Sequence, residues 1–476
     1  MNRDLRSFLK DVREAGPDYY VEVQIELSTN LEPCILQQKL ARQNRFPVIY
    51  CPQMKGSKLP LVTNVYGSYE MLGMILGLPP GSAKEQILKE YMKRIANPLP
   101  LKTVPRETAP VKEVVLRDEA VDLGLLPVVH HALQDSGKYI VVGCMIARDP
   151  DTGIPNVGMY RHEVKGHNVL GAMINPAHHG SYIARRYKEL NKPMEVVLFV
   201  GHHPAVVLGS LVRGSLDLDE LEAIGGLLGE PLEVTDAETV DLPVPAWAEV
   251  VIEGVIDPQK EITDGPFAEY TGYYGGVAKA WQIDVKAITM RKDAIYHDLD
   301  PAHREHNLSC VLCFESVIYE AVKKAVPTVQ AVHLPASSCS LYTVYISLKK
   351  RIQGEGKLAA LAALSAEINL KTAVVVDDDI DVYNEHEVLW AVATRVEADL
   401  DVSIIPRVTG AHLDPSAYDE TRYKRGHMTS KVIVDATKPI DLPFATRITP
   451  SLELWASMKL DDYINLPSVP PGYEEL

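Results

Sequence analysis

Two carboxylates on either side of a tight turn are the residues most suggestive of chemistry. Asp264 and Glu269 stand five residues apart in ITDGPFAEYTGYYGG, with Gly265 and Pro266 between them. Two such groups can face one cleft, where one stays ionised and burial keeps the other protonated, as acid–base catalysis requires. A polar turn with two exposed acids explains the same residues, and composition alone favours that explanation.

A second group of unusual residues precedes this turn. In NVGMYRHEV, Asn156 stands five residues before Arg161, an arginine in an apolar, strand-like context that could also be a surface ion pair. INPAHHG follows with His178 and His179, and Glu233 comes later in GEPLEV. Asn, His and Glu could supply a mixed set of nitrogen and oxygen ligands for a metal ion. Separations of 22 and 55 residues are no metal signature by themselves.

A third group is the histidine-rich segment YHDLDPAHREHN. It holds His297, His303, Arg304 and His306 within ten residues, three of the chain's 15 histidines. One interpretation is a solvated polar loop. The other is a cationic lip for an anionic substrate, because arginine and protonated histidine donate charged hydrogen bonds.

Apolar spacing and turn residues predict the elements that carry these groups. Residues 5–12 predict an amphipathic helix that ends near Gly16, and the proline-rich run from Asn97 to Pro110 predicts a linker. Short β-branched runs follow and predict strands of an antiparallel barrel or sandwich. These runs are Tyr139–Ile146, Met194–Val200, Ala205–Leu211, Ala248–Ile256 and Trp281–Met290.

The last third of the chain has the pattern of an α/β domain. A helical run from Leu312 to Val326 ends before Pro327. The elements predicted after it are a helix at Leu358–Ile368, a buried strand at Thr372–Val376, and helices at Glu385–Arg395 and Ser451–Leu460.

Composition excludes several classes of protein. The 476 residues carry 48 basic and 64 acidic side chains, a net charge of −16, which argues against binding to nucleic acid or anionic lipid. No run approaches the ~18 apolar residues of a membrane span. Six irregularly spread cysteines are typical of reduced thiols, and the N-terminus lacks an apolar signal core, so we expect a cytoplasmic protein. No dinucleotide, Walker or G-x-S-x-G motif is present.

In order and spacing, the clusters resemble the UbiD-type reversible decarboxylases. The matching pieces are Asn156-x4-Arg161, Pro176-x-His178, Glu233 in EPLEV, Asp264-Gly-Pro-Phe-x-Glu269 with TGYY, DDDIDVY with VLWAVATR, and SKVIVDAT. Together they span nearly the whole chain. The resemblance implies a central split β-barrel, flavin-reductase-like, flanked by N-terminal and C-terminal α/β domains. The expected boundaries are an N-terminal domain at 1–105, the cofactor-binding barrel at 110–310, a connecting helix at 311–326, an oligomerisation domain at 327–460 and a tail at 461–476.

The resemblance also implies a cofactor, prenylated FMN, whose phosphate is held by a divalent metal, usually Mn²⁺, with K⁺ nearby. Asn156, His178 and Glu233 match the metal ligands. The matching cofactor-binding set is Asn156, Met159, Tyr160, Arg161, Ala177, His178 and Glu233. A flavin prenyltransferase would supply the cofactor, and the chain would form a homo-oligomer, a dimer or a hexamer.

The implied activity is reversible, non-oxidative decarboxylation of an aromatic or heteroaromatic acid. Arg161, Asp264 and Glu269 match the catalytic arginine and its two acids; Asp264 is one carbon shorter than the glutamate often found there. Arg161 would orient the carboxylate, and Glu269 would return a proton after CO2 leaves.

The expected substrate is 2,5-furandicarboxylate, with His297 and Arg304 binding a second anionic group. Pyrrole-2-carboxylate or another aromatic acid is the nearest alternative. Two further alternatives stay open: a flavin-free metal-dependent hydrolase that uses His178, His179, His202 and His203, and a flavin-binding carrier or assembly subunit.

Overall fold

The computed structural model describes residues 3–175, 178–214, 218–411, 413–417, 428–448 and 451–464. The chain divides into two compact units, residues 1–316 and 317–476. Among the described residues, no helix has the length and apolar character to span a bilayer.

The first unit holds eight helices and eighteen strands within its described residues, the last helix continuing into the second unit. The helices are α1 (Leu5–Ala15), α2 (Glu32–Ala41), α3 (Tyr69–Ile75), α4 (Lys84–Ile95), α5 (His179–Leu190), α6 (Ala205–Ser210), α7 (Glu220–Leu228) and α8 (Arg304–Ala325). The strands are β1 (Tyr20–Glu22), β2 (Val48–Cys51), β3 (Leu61–Thr63), β4 (Lys102–Thr103), β5 (Val114–Arg117), β6 (Tyr139–Ile140), β7 (Cys144–Arg148), β8 (Pro155–Met159), β9 (Arg161–Val164), β10 (Val169–Met173), β11 (Met194–Val200), β12 (Glu233–Asp236), β13 (Pro243–Pro245), β14 (Val250–Asp264), β15 (Phe267–Ala268), β16 (Tyr274–Gly275), β17 (Ala278–Met290) and β18 (Tyr296–His297).

The N-terminal part of this unit is a four-stranded sheet in the order β1-β2-β3-β18. Helix α1 begins at a capping box between Asp4 and Ser7 and ends at Gly16, as its spacing predicts. Strand β18 comes from a distant part of the sequence and pairs in parallel with β3, where His297 lies opposite Val62. This pairing fixes the start of the histidine-rich segment against the N-terminal sheet.

The central part is a curled antiparallel sheet in the order β6-β9-β10-β17-β14-β11-β7-β8, with β5 paired to β17. Its longest strands, β14 and β17, carry register shifts at Glu253/Gly254 and between Ile256 and Glu261. Such bulges bend a sheet, which accounts for the curl. The predicted antiparallel architecture is confirmed at this level, whereas the flavin-reductase-like split barrel stays a prediction.

One predicted strand is a helix. Ala205–Leu211 contains α6, whose six residues are all buried. A short apolar run without alternation fits a buried strand and a buried helix equally well. Here Pro204 precedes the run and α6 packs against α7, so the helix forms.

The second unit contains a five-stranded sheet in the order β19-β20-β21-β23-β22. Its elements are β19 (Val329–His333), β20 (Thr343–Leu348), α9 (Glu355–Ala366), β21 (Thr372–Asp377), α10 (Glu385–Arg395), α11 (Ala398–Asp401), β22 (Val402–Thr409), β23 (Met428–Ala436) and α12 (Leu452–Ser457). Strands β20, β21 and β23 are parallel, and the edge strands are antiparallel. This is the α/β pattern expected from the sequence, while the predicted domain boundaries stay predictions.

Candidate active site

Three predicted site residues, Arg161, Asp264 and Glu269, meet in the structure and are called the Arg161 cluster below. Arg161 begins β9, and Asp264 ends β14. The Arg161 Nη2 and Nε atoms lie 2.5 Å and 3.1 Å from Asp264 Oδ2, and Nη1 contacts Glu269 Oε1. The Phe267 ring centroid lies 4.6 Å from the guanidinium carbon. One cation therefore holds both acids.

A short hairpin carries Glu269 to the guanidinium. Gly265 has a φ of 85°, and a Cβ there would lie 2.7 Å from Gly276 O, so glycine is required at this turn. Strands β15 and β16 then pair, and Glu269 N donates to Tyr273 O at 2.9 Å. The hairpin between β15 and β16, called the Glu269 hairpin below, fixes the carboxylate in place.

Burial and charge shift the pKa values of Glu269 and Arg161 in this cluster. Burial raises the pKa of Glu269; Arg161 opposes this rise, and Asp264 adds to it. Burial alone would lower the pKa of Arg161, but the two acids outweigh it and the pKa is raised. Glu269 is therefore the group suited to hold and release a proton, beside a permanently charged arginine.

A second cluster joins Asn156 of β8 to the first residues of two helices. Asn156 Nδ2 donates to Glu220 Oε1 at 2.7 Å, and Val157 N donates to Glu220 Oε2 at 3.3 Å. Glu220 begins α7, and His179, which begins α5, has Nδ1 3.8 Å from Glu220 Oε1. Burial raises the pKa of Glu220 to about 7 against these hydrogen bonds. Asn156, His179 and Glu220 are called the Asn156 cluster.

The donor atoms of the Asn156 cluster suit a divalent cation that bridges to a phosphate. Amide oxygen, carboxylate oxygen and imidazole nitrogen are common ligands of Mn²⁺-like ions. The N-termini of α5 and α7 meet at this cluster, and the positive ends of the two helix dipoles favour an anion. Among the described residues, no three His, Cys, Asp or Glu side chains form a metal-binding group.

Two of the predicted metal ligands, His178 and Glu233, stay predictions, and the structure places other side chains beside Asn156. Glu233 lies on β12, where its carboxylate binds Lys102 Nζ at 2.7 Å and Trp247 Nε1 at 2.8 Å. That strand belongs to the sheet β13-β12-β4, not to the sheet of Asn156. Glu220 is the carboxylate next to Asn156, and His179 rather than the exposed cap residue His178 faces it.

The other predicted cofactor residues have mixed placements. Met159 is half-buried at the end of β8, and Tyr160 is buried, with its hydroxyl 2.5 Å from where a Cβ on Gly158 or Gly180 would lie. Tyr160 thus packs against two glycines. Ala177 lies outside the described residues. Roles for these side chains in holding a cofactor stay predictions.

His297 and His303 of the histidine-rich segment are buried, so the segment is not a solvated polar loop. Burial lowers the pKa of His297 and of His303 to about 4, and that of His306 is also lowered. These imidazoles are neutral near pH 7. Within this segment, Arg304 carries the positive charge.

The segment lies against the Glu269 hairpin. The His306 ring is 6.0 Å from the ring of Tyr270, the residue after Glu269. Arg304 begins α8, with its guanidinium carbon 4.6 Å from the Phe46 ring centroid. The first turn of α8 thus contacts the hairpin through His306, while Arg304 packs on Phe46.

Two histidines proposed for a metal-dependent hydrolase occupy a structural turn. His203 N donates to His202 Nδ1 at 2.7 Å, and the His203 ring packs 5.9 Å from Phe8 of α1. Burial lowers the pKa of both imidazoles. His202 and His203 form the turn that follows β11 and do not form a catalytic centre.

Comparison with known families agrees with this architecture. Profiles described as the N-terminal, Rift-related and C-terminal domains of 3-octaprenyl-4-hydroxybenzoate carboxy-lyase match residues 15–92, 102–303 and 312–436. The chain belongs to the UbiD family of carboxy-lyases. The family predicted from the sequence motifs is confirmed.

Particular relatives are similar over almost their whole length. The structure of the UbiD-class enzyme HmfF from Pelotomaculum thermopropionicum in complex with FMN is 36% identical, with a TM-score of 0.90 over 97% of this chain and 100% of that chain. Anhydromevalonate phosphate decarboxylase of Methanothermobacter thermautotrophicus is 33% identical over 92% of this chain and 97% of the relative. Phenolic acid decarboxylase of Sedimentibacter hydroxybenzoicus is 31% identical over 92% of each chain.

Proposed function

We propose that the protein decarboxylates a heteroaromatic acid reversibly and without oxidation, using prenylated FMN, and that 2,5-furandicarboxylate gives 2-furoate and CO2. The observation that carries this proposal is the Arg161 cluster in a fold similar to HmfF, whose structures hold FMN or prenylated FMN. A flavin prenyltransferase would supply the cofactor.

The protein's own residues would bind and orient the substrate carboxylate and protonate the ring carbon. Prenylated FMN, when bound, supplies the electron sink that loss of CO2 from an sp² carbon requires. Arg161 would orient the reacting carboxylate through charged hydrogen bonds, while Asp264 holds its guanidinium in place. Glu269 would deliver the proton to the ring carbon once CO2 has left, because burial raises the pKa of its carboxyl group.

The cofactor phosphate would bind at the Asn156 cluster through Mn²⁺ or a similar cation, with K⁺ nearby. A cation there would offset the buried charge of Glu220, and two helix N-termini would favour the phosphate. His179 and Glu220 take the places that the sequence motifs gave to His178 and Glu233.

Arg304 favours a substrate with a second anionic group. Arg304 lies two residues before His306, whose ring is 6.0 Å from that of Tyr270 in the Glu269 hairpin, and the Arg304 guanidinium packs on Phe46. Arginine can bind a second ring carboxylate through two parallel hydrogen bonds. Neutral His297 could add a hydrogen bond, not a charge.

A panel of acids tests the substrate. CO2 release would be measured for 2,5-furandicarboxylate, 2-furoate, pyrrole-2-carboxylate, a phenolic acid and anhydromevalonate phosphate, with enzyme made with and without the flavin prenyltransferase. We expect turnover of the furan dicarboxylate by the co-expressed enzyme alone. Preference for a phenolic acid or for anhydromevalonate phosphate would replace the proposed substrate, and prenyltransferase-independent turnover would contradict the cofactor.

Arg304 variants test the second anionic group. Arg304→Ala should raise KM for the dicarboxylate by about 10- to 150-fold relative to the monocarboxylate, the equivalent of one charged hydrogen bond. Arg304→Lys should recover part of this loss, because lysine keeps the positive charge but lacks the two parallel N–H donors of a guanidinium. Equal effects on both substrates would contradict the role.

The protein would act as a homo-oligomer, a dimer or a hexamer. An evolved dimeric form of HmfF is among the similar structures, at 34% identity and a TM-score of 0.86. Exposed apolar side chains of the second unit, including Leu454 and Trp455, support assembly of like chains.

A further inference from the structure

Residues 130–139, called the bridging segment, contact both the Glu269 hairpin and Asp298, the residue that follows His297. None of these residues belongs to the motifs that point to the activity. The segment runs from the loop before α2, where His130 N donates to Thr29 O at 2.9 Å, into β6 of the central sheet.

One end of the bridging segment fixes the Glu269 hairpin through Asp135. The Asp135 carboxylate is buried and accepts the backbone N–H of Ala268 at 2.8 Å and of Ala132 at 3.0 Å. Ala268 is the residue before Glu269. Asp135 therefore ties the backbone of the proton donor's hairpin to its own loop.

Three further contacts join the same two elements. Ser136 N donates to Pro266 O at 2.9 Å, and Gly265 N donates to the Tyr139 hydroxyl at 3.1 Å. The Tyr139 and Phe267 rings lie 4.5 Å apart. Both sides of the turn before Glu269 thus rest on the bridging segment.

The other end of the segment binds the residue after His297. His131 Nε2 lies 3.0 Å and 3.3 Å from the two carboxylate oxygens of Asp298, and both side chains are almost fully buried. Asp298 N donates to Val62 O at 2.8 Å, which continues the pairing of β18 with β3. His131 therefore helps fix the position of His297.

We propose that the bridging segment is a common support for the two ends of the substrate site, in which Asp135 positions Glu269 and His131 positions His297. The proposal rests on the proposed function. Neither residue touches the reacting atoms: both are positioning residues, and they should affect different kinetic parameters.

Asp135 is tested on the holoenzyme with an acid that the wild type decarboxylates. Asp135→Ala should lower kcat by up to about 10²-fold, because a 1 Å misplacement of a reacting group can cost that much. Exchange of the ring hydrogen of the decarboxylated product in D2O should fall in parallel, since it needs the same proton transfer. KM and flavin content should not change. Asp135→Asn keeps one acceptor oxygen, so its kcat should lie between those of the wild type and Asp135→Ala.

Asp149→Asn is the matched control. Asp149 is also buried in the first unit and accepts a backbone N–H, from Asp151 at 2.9 Å, but it contacts neither the hairpin nor β18. The Asp149→Asn variant should leave kcat and the exchange of the ring hydrogen in D2O unchanged. The proposal fails if Asp135→Ala keeps the wild-type kcat and hydrogen-exchange rate. It also fails if kcat, flavin content and melting temperature fall while KM rises, as in general unfolding.

His131 is tested by comparison of substrates. His131→Ala should raise KM for a ring dicarboxylate about tenfold more than for the monocarboxylate, the effect of one displaced hydrogen bond. His131→Gln, whose amide can still donate to Asp298, should restore the KM values and guards against a variant that fails to fold. Equal KM changes for both acids would overturn this role. A wild-type enzyme that prefers another acid overturns the proposed substrate and the role of His131 with it, whereas the Asp135 test holds for any acid.

Discussion

At the scale of single residues, Arg161 has the largest influence because it contacts two acids with different tasks. Asp264 accepts from two of its nitrogens, whereas Glu269 contacts the third. A substrate carboxylate that approaches Arg161 competes with Glu269 for the guanidinium. Displaced from its ion pair and still buried, Glu269 would hold its proton more tightly, which suits a general acid.

Glu269→Gln tests the general acid. The amide keeps the size of the side chain but has no proton to deliver, so kcat should fall by about 10²- to 10⁴-fold while the flavin spectrum is unchanged. Asp264→Asn is a useful comparison, since it weakens the hold on Arg161 and should raise KM as well as lower kcat. Near-normal turnover by Glu269→Gln would refute the assignment.

The Asn156 cluster gives a second prediction at this scale. Glu220→Gln and His179→Ala should each lose divalent metal and flavin together, measured by elemental analysis and visible absorbance of the purified protein. The matched controls are Glu233→Gln and His178→Ala, because these residues are bonded elsewhere or exposed. Loss of metal in the Glu233 and His178 variants alone would restore the ligand set predicted from the motifs.

At the scale of elements, the first turn of α8 is fixed by a carboxylate rather than by charge pairing. Glu305 is fully buried and accepts Val65 N at 2.6 Å, Gln37 Nε2 at 3.3 Å and Thr63 Oγ1 at 3.4 Å. Burial raises its pKa to about 8, and the charge of Asp298 adds to the rise. The helix that begins with Arg304 is thereby attached to β3.

Glu305 should make stability depend on pH. The folded protein holds this proton more tightly than the unfolded chain, where the ordinary value is 4.5. Its contribution is full below pH 4.5 and is lost as the pH rises towards 8. Relative to Glu305→Gln, the wild type should lose up to about 1.4 kcal/mol per pH unit across this range.

Melting temperatures of both proteins at several pH values would measure this loss. Glu315→Gln, on the same helix and bonded to the Tyr69 hydroxyl at 2.7 Å, controls for removal of a buried carboxylate. Parallel melting curves for wild type and Glu305→Gln would contradict the prediction.

Several elements and residues were predictable from the sequence, and others depended on tertiary contacts. The spacing of α1 and the motif around Asp264 carry enough local information to place them. Glu220 and Glu233 are each one glutamate near apolar residues, and only the contact of α7 with β8 separates them. A glutamate in the first turn of an otherwise apolar helix was the available signal for Glu220. The histidine charges depend on burial, which their spacing does not reveal.

At the scale of the whole molecule, several large apolar side chains of the second unit are exposed around α12. Leu454 and Trp455 of α12 are 60% and 74% exposed, and Ile448 before the helix is 95% exposed. A net charge of −16 opposes random association, so a specific partner surface must offset that repulsion. A second copy of the chain is the partner that the proposed function implies.

Substitution of the exposed apolar side chains of α12 should reduce the number of chains in the proposed homo-oligomer. A double variant, Leu454→Ser with Trp455→Ser, removes two large apolar side chains whose burial is worth about 1.5–3 kcal/mol each. Light scattering after size-exclusion chromatography should show a smaller mass than for the wild type, with the midpoint of association moved to higher protein concentration. Ile25→Ser is the control, because Ile25 is 69% exposed in the first unit. An unchanged mass for the double variant, or a wild type that is already monomeric, would show that α12 does not join like chains.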